Sequence, residues 1–228
     1  MVNFAERLLF AAMTSKTEIS HLRQEYSRHE LSEESADKDP FIQFSNWFAE
    51  AINAEITEPN AMSLGTCGAD LQPSVRIVLL KGFDEDGFVF FTNYNSDKGR
   101  QIEENPKAAL TFLWLGLERQ VRIEGHIEKV SAEESDIYFH SRPLGSRLGA
   151  WSSPQSREIT KYELIAREAE FRQKFENTQI VPRPDHWGGY RVVPVKIEFW
   201  QGRPSRMHDR IVYLKLDNKN WQISRLAP

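Results

Sequence analysis

Arg76 to Asn93, RIVLLKGFDEDGFVFFTN, is the stretch whose reading decides the fold. Four aliphatic residues between two cations read as a buried strand, and Phe88 onward reads as a second strand rich in aromatic and β-branched residues. Asp84-Glu85-Asp86-Gly87 joins them as a hairpin-type connection. Working outward, the same pattern predicts strands over Ala61 to Cys67, Ser74 to Lys81, Phe88 to Tyr94, Ala108 to Leu115 and Glu118 to Val130. Gly189 to Gln201, Ile211 to Leu216 and Trp221 to Arg225 follow, with Gly68-Ala69-Asp70 and Asp217 to Asn220 as further turns. Helices are predicted around them. Asp39 and Pro40 supply an N-cap and first-turn proline before Phe41, Phe44, Phe48, Ala51 and Ile52 at helical spacing. Ser96 to Asn105 reads as a short helix stopped by Pro106. Ser131 to Arg142 and Glu158 to Asn177 read as two more helices, separated by a stretch containing Pro, Gly and Ser. Hairpin-linked strands with helices set around them indicate a mainly β, α+β fold, a closed or split β-barrel, because closure removes exposed sheet edges.

Composition narrows the function. The 228 residues carry 29 Lys and Arg against 33 Asp and Glu, a formal net charge of −4. Such a balance argues against a nucleic-acid binder, whose affinity rests on surplus cations. A chain of this size buries roughly 70% of its unfolded surface in one sizeable domain. The single cysteine, Cys67, excludes an intramolecular disulfide framework and a cysteine-based zinc site, and a reducing compartment, the cytoplasm, is the simplest reading. No apolar run reaches the roughly 20 residues needed to span a bilayer, so no membrane partner is expected. Leu8 to Met13, preceded by Glu6 and Arg7, fits a short amphipathic helix better than a signal peptide.

Common catalytic signatures are missing: there is no GxGxxG, Walker loop, HExxH or CxxC. The six histidines show no metal-ligand spacing, and no metal is expected. What remains is a supply of Arg, Lys, Ser, Gln and Trp at strand ends and turns, suited to holding anions and a planar ring. Arg76 and Lys81, five apart, would point to opposite faces of an unbroken strand, and so need a bulge or grip different parts of a long ligand. Taken alone, they are better read as solubilising strand ends. Tyr138 and Arg142 are placed i, i+4 on one helix face with Ser146 just beyond the helix, a set that can hold a phosphate. An exposed helix end with a solvated arginine fits the same residues equally well. On an extended strand Arg206, His208 and Arg210 would share a face, a costly row of cations unless an anion or electron-rich ligand lies beside it. Trp200 fits either a core position or the edge of a ring system.

At this point the chain resembles the pyridoxine (pyridoxamine) 5′-phosphate oxidase family. RIVLLKGFDEDGFVFFTN, LERQVRIEG, YFHSRP, GAWSSPQS, WGGYRV, IEFWQGR and RMHDR occur in the family's order and spacing, from about Leu22 to Pro228. The resemblance implies an FMN-binding split barrel over residues 39–228, preceded by a helical or flexible lid segment over 1–38. It implies a homodimer with shared active sites. FMN would be bound by Arg76, Ile77, Val78, Leu79, Leu80, Lys81, Phe91, Thr92, Ser96 and Lys98. Gln120, Gln155, Ser156, Trp200 and Arg210 would complete that site, several from the partner chain. The substrate phosphate would be held by Lys81, Tyr138, Arg142 and Ser146. Arg206, Met207 and His208 would sit at the pyridine ring, with Arg206 and His208 catalytic, under a lid of Arg23, Gln24, Glu25 and Tyr26. The activity implied is hydride transfer from C4′ of pyridoxine or pyridoxamine 5′-phosphate to flavin N5, giving pyridoxal 5′-phosphate. O2 then reoxidises the flavin and yields H2O2. The chain departs from the family after Ser96: a second basic residue is common there, and here it is Asp97. A phenazine-precursor oxidase of the same fold would not need Tyr138, Arg142 and Ser146 together. A non-catalytic carrier of FMN or pyridoxal phosphate is the rival from a different class.

Overall fold

Asp39 caps the first helix by accepting a hydrogen bond from Phe41 N at 2.8 Å, and Pro40 occupies the first turn, where its missing N–H costs nothing. The computed structural model describes residues 25–217 and 220–228. This helix, α1 (Pro40–Asn53), precedes β1 (Ala61–Cys67), β2 (Pro73–Leu79), β3 (Gly82–Asp84) and β4 (Gly87–Asn93). Then come α2 (Asp97–Glu104), β5 (Lys107–Trp114), β6 (Arg119–Lys129), α3 (Ala132–Ser141), α4 (Leu144–Ser152) and α5 (Lys161–Lys174). The long strand β7 (Trp187–Gln201), β8 (Asp209–Lys215) and β9 (Trp221–Arg225) complete the chain. All strands join one antiparallel sheet in the order β2-β1-β5-β6-β7-β4-β3, from which β8 and β9 branch at β7.

The branching follows from the length of β7. One of its edges pairs with β6 along its length, apart from a bulge where the register shifts between Glu124 and Gly125. The other pairs with β4 through Trp187 to Val192 and with β8 through Lys196 to Gln201, so the sheet splits into two arms. It curls until the end of β2 meets β4, where Lys81 N donates to Val89 O at 2.8 Å. Leu64, Leu110, Phe112, Val121, Ile123, Ile197, Phe199 and Ile211 fill the inside. Phe44 from α1 packs into it against Phe83, Phe88, Phe112 and Trp114. Alternation leaves Val75, Ile77 and Leu113 exposed on the outer face. Among the described residues no helix is long and apolar enough to cross a membrane.

Two local expectations are corrected. The stretch predicted as a break between helices forms α4, which places Ser146 inside a helix rather than beyond one. Burial of Leu148 and Ala150 against Phe139, Val181 and Trp187 outweighs the poor helix propensity of Gly145 and Gly149. Between the predicted strands the chain also forms β3, tightening the turn to Glu85-Asp86. Gly87, at φ 143°, closes that turn where a Cβ would strike the Val192 carbonyl.

Candidate active site

Arg76 lies on β2 opposite Leu64, so the alternation that exposes Ile77 turns Arg76 toward the core face at the sheet edge. Its guanidinium donates to Leu64 O at 3.2 Å, Ser74 O at 3.1 Å and Gln101 Oε1 at 3.2 Å, and also to Thr66 Oγ1. Lys98, in the first turn of α2, donates from Nζ to Gln155 Oε1 at 3.0 Å and to Ser96 Oγ at 3.3 Å. Ser96 is fully buried and is the N-cap of α2. A side chain at Gly99 would collide with the Tyr94 carbonyl, so glycine alone lets this helix end sit so close to the preceding turn. Burial lowers the pKa of Arg76, with Asp97 opposing; burial and then repulsion by Arg76 lower that of Lys98, again against Asp97. Neither cation makes an ion pair among the described residues. Two desolvated cations and a helix N-terminus with no carboxylate bound between them are the electrostatics of an anion site.

Beside this cradle is a cavity of about 370 Å³ lined by Phe91, Thr92, Tyr138, Arg142, Ser146, Gln155 and Trp187, among others. The structure thus brings together residues predicted for two different ligands. Tyr138 stacks on Phe91 with ring centroids 4.0 Å apart. Arg142, one residue past α3, lies over the Trp187 ring at 4.5 Å and near Phe139 at 5.6 Å. Its Nη1 is buried with no hydrogen-bond partner, and burial lowers its pKa. An unpaired donor on a buried cation costs free energy that a bound anion would offset. Lys81, past the end of β2, places Nζ 5.9 Å from the Tyr138 ring. Arg76 and Lys81 therefore lie in different places, one in the cradle and the other near the Tyr138 ring.

A second cluster sits at the other end of β7. In register, Leu113 faces Gln120, Gln120 faces Trp200 and Trp200 faces Arg210, making one row on the outer face of the sheet. Glu198, almost fully buried, accepts from Arg210 Nε at 2.8 Å and Arg122 Nη1 at 3.3 Å. His208 packs against Trp200 at 4.6 Å, and Tyr26 stands edge-on to Trp200 at 5.8 Å. Ser27 N and Arg28 N donate to Glu118 Oε2 at 2.9 and 3.1 Å, which holds Tyr26 there. Trp187 and Trp200 are thirteen residues apart on one strand, roughly 40 Å of extended chain at 3.3 Å per residue.

Some placements differ from expectation. Arg206 and His208 are not on a strand with Arg210: β8 begins at Asp209, and Pro204–Arg206 form a 3₁₀ turn. Pro204 prevents an early strand, and Ser205 and Arg206 take left-handed φ values of 55° and 60°. Tyr138 and Arg142 are not on one helical face, since Arg142 is extended beyond α3, yet both reach the cavity. Ile77 points outward, Leu80 is in the core, and Val78 packs against it; Leu79 is half-buried. Ser156 is exposed in a turn at φ 67°, Met207 is exposed, and so is Glu25. Arg23 and Gln24 lie outside the described residues. Sequence reasoning gave Trp187 and Glu198 no role. Both lay within noticed motifs, WGGYRV and IEFWQGR, but nothing local marked the role of Glu198, because both of its partners come from neighbouring strands.

His208 Nδ1 accepts from Arg203 N at 3.1 Å, which leaves the proton of the neutral ring on Nε2. Burial and then Arg206 lower its pKa, against Asp209. Its NMR titration midpoint should therefore fall below the ordinary value of about 6.5. Arg206→Ala should move it upward. Because the native state binds this proton less readily than the unfolded chain, the associated stability is full above about pH 6.5 and declines as pH falls through the depressed pKa. A midpoint at or above 6.5 would contradict the placement.

Comparison with known proteins bears on these clusters. A family model described as "Pyridoxamine 5′-phosphate oxidase" matches residues 48–173, and one described as "Pyridoxine 5′-phosphate oxidase C-terminal dimerisation region" matches residues 187–228. A pyridoxine/pyridoxamine 5′-phosphate oxidase of Bordetella petrii is 60% identical over 210 residues, covering 92% of this chain and 99% of the relative. One from Cupriavidus metallidurans is 59% identical over 213 residues, covering 93% and 100%. Among solved structures, PhzG from Burkholderia lata in complex with tetrahydrophenazine-1-carboxylic acid superposes with a TM-score of 0.82 at 27% identity, covering 90% of this chain and 100% of that one. A pyridoxamine 5′-phosphate oxidase-related, FMN binding protein of Nostoc punctiforme superposes at 0.65 with 17% identity, covering 88% and 100%, a likeness of fold.

Proposed function

Because the chain belongs to the pyridoxine/pyridoxamine 5′-phosphate oxidase family, we propose that two copies of it build each active site, the cradle and cavity of one copy facing the Gln120–Trp200–Arg210 row of the other. The protein is an FMN-dependent oxidoreductase of vitamin B6 metabolism, oxidising pyridoxine and pyridoxamine 5′-phosphates to pyridoxal 5′-phosphate with O2 as acceptor. The shared site rests on distance. The two clusters stand at opposite ends of β7, too far apart for one flavin, and the exposed outer face carrying the row belongs to a chain with a matched dimerisation region.

The residues fit FMN. Arg76, Lys98, Ser96 and the α2 N-terminus would take the ribityl phosphate, whose charge is close to −2, and Thr92 and Gln155 adjoin them. Bound FMN supplies the two-electron acceptor that no side chain can provide. Arg142, Tyr138, Ser146 and Lys81 hold the substrate phosphate, and the Trp187 face keeps the guanidinium in place. Arg206 and neutral His208, with its proton on Nε2, orient the pyridine ring of a substrate held by the other copy. Tyr26 closes over them and excludes water. Its single cysteine suits the reducing cytoplasm, where we place it.

The observation that carries this reading is the unpartnered, buried Arg142 Nη1 in a cavity it shares with Phe91, Thr92 and Gln155. The purified protein should be yellow, and pyridoxine 5′-phosphate should bleach it in a single anaerobic turnover, whereas unphosphorylated pyridoxine at the same concentration should not. A flavin that binds but never bleaches would make the protein a carrier. Equal bleaching by both compounds would remove the phosphate pocket.

A further inference from the structure

Asp97, the residue that departs from the family's usual basic position, stands in the first turn of α2 between Ser96 and Lys98. It is the carboxylate whose field reaches both Arg76 and Lys98. Left bare, it would repel a phosphate placed between those cations. It is not bare: Arg100, one helical turn on, forms an ion pair with Asp97 through Nη2 and donates from Nη1 to Asn95 O at 2.8 Å. The guanidinium thus bridges Asp97 and the Asn95 carbonyl across the start of α2. Arg76 and Lys98 instead donate to the uncharged amide oxygens of Gln101 and Gln155.

Resting on the FMN reading above, we propose that Arg100 is a specificity-determining residue for the phosphate end of the cofactor: held by the Asn95 carbonyl, it neutralises Asp97 through the ion pair, so that the charge of both cradle cations is left to the phosphate. Arg100, three residues along the helix, acts through Asp97 instead of touching the ligand. Asp97 in turn complements the helix dipole. The chain therefore retains a stable α2 N-terminus without giving up the anion site. Both side chains are about half exposed, so the effect is bounded by solvent screening.

The test is a fluorescence titration of the full chain, stripped of cofactor, with FMN and separately with riboflavin, which has the same ring and no phosphate. At low salt Arg100→Gln should weaken FMN binding by about three- to tenfold, the range expected when one partly screened charge is unmasked near a dianion. Asp97→Asn/Arg100→Gln should restore affinity to within about twofold of Asp97→Asn, as coupled charges require. Riboflavin affinity should be unchanged in every variant, and raising the salt should shrink the FMN effect. Lys98→Ala, in the cradle itself, should weaken FMN regardless and serves as the control. The inference is overturned if Arg100→Gln leaves FMN affinity as it was, if the double variant does not recover, or if riboflavin is weakened equally, which would mean a structural role for the pair. A wild-type chain that binds no FMN would instead remove the cofactor reading, and this inference with it.

Discussion

Replacing Arg142 by methionine is expected to raise the KM for pyridoxine 5′-phosphate about 100-fold, with a smaller change in kcat. The basis is the loss of charge-assisted hydrogen bonds to the substrate phosphate, which are worth about 1.5–3 kcal/mol each, so that two powers of ten, about 2.7 kcal/mol, is a conservative figure. Methionine is the informative choice because it keeps apolar volume against Trp187 and Phe139, where the arginine now packs. Stability should move the other way. In the ligand-free protein Arg142 is a partly desolvated cation with an unpartnered Nη1, so the thermal midpoint of Arg142→Met without ligand should equal or exceed that of the wild type. An unchanged KM for the phosphorylated substrate would place its phosphate elsewhere.

Arg206→Ala should lower kcat about 100-fold and leave the protein yellow, the size of effect typical of losing one positioning group at a reacting centre. Ser205 and Arg206 are consecutive left-handed residues without being glycine, a conformation that costs about 1–3 kcal/mol at each. Arg206→Gly should therefore be as inactive as Arg206→Ala but more stable by about 1 kcal/mol, since glycine relieves the strain. The shared-site arrangement makes a stronger prediction from the same variant. Arg142→Ala and Arg206→Ala chains, each nearly inactive well below the wild-type KM, should regain activity when co-expressed or refolded together. Random pairing makes about half the dimers mixed, and each mixed dimer has one intact and one doubly damaged site, so about a quarter of wild-type activity should return. No recovery would mean that both residues serve one site within one chain.

Much of this protein was legible before its fold was known. The helix over Pro40–Asn53 followed from Asp39, Pro40 and the spacing of Phe41, Phe44 and Phe48, and most strands fell within a residue or two of their predicted ends. The motifs fixed which residues to suspect. Local signals were enough there because a cap, a turn or an alternation is decided by neighbours a few positions away.

Partnership across the sheet was not legible. That Gln120, Trp200 and Arg210 form one row depends on the registers of β6, β7 and β8, and a slip of one residue in any of them would turn a side chain to the opposite face. The meeting of Arg76 with Lys98, the filling of Glu198 by Arg122 and Arg210, and the helix formed over Leu144–Ser152 in spite of two glycines likewise come from contacts between distant segments. The sequence by itself determined the elements, the motifs and the kinds of ligand their residues can hold. Only the tertiary structure decided that these residues form two groups at opposite ends of β7, because the length of that strand, and not any local preference, sets the distance between them.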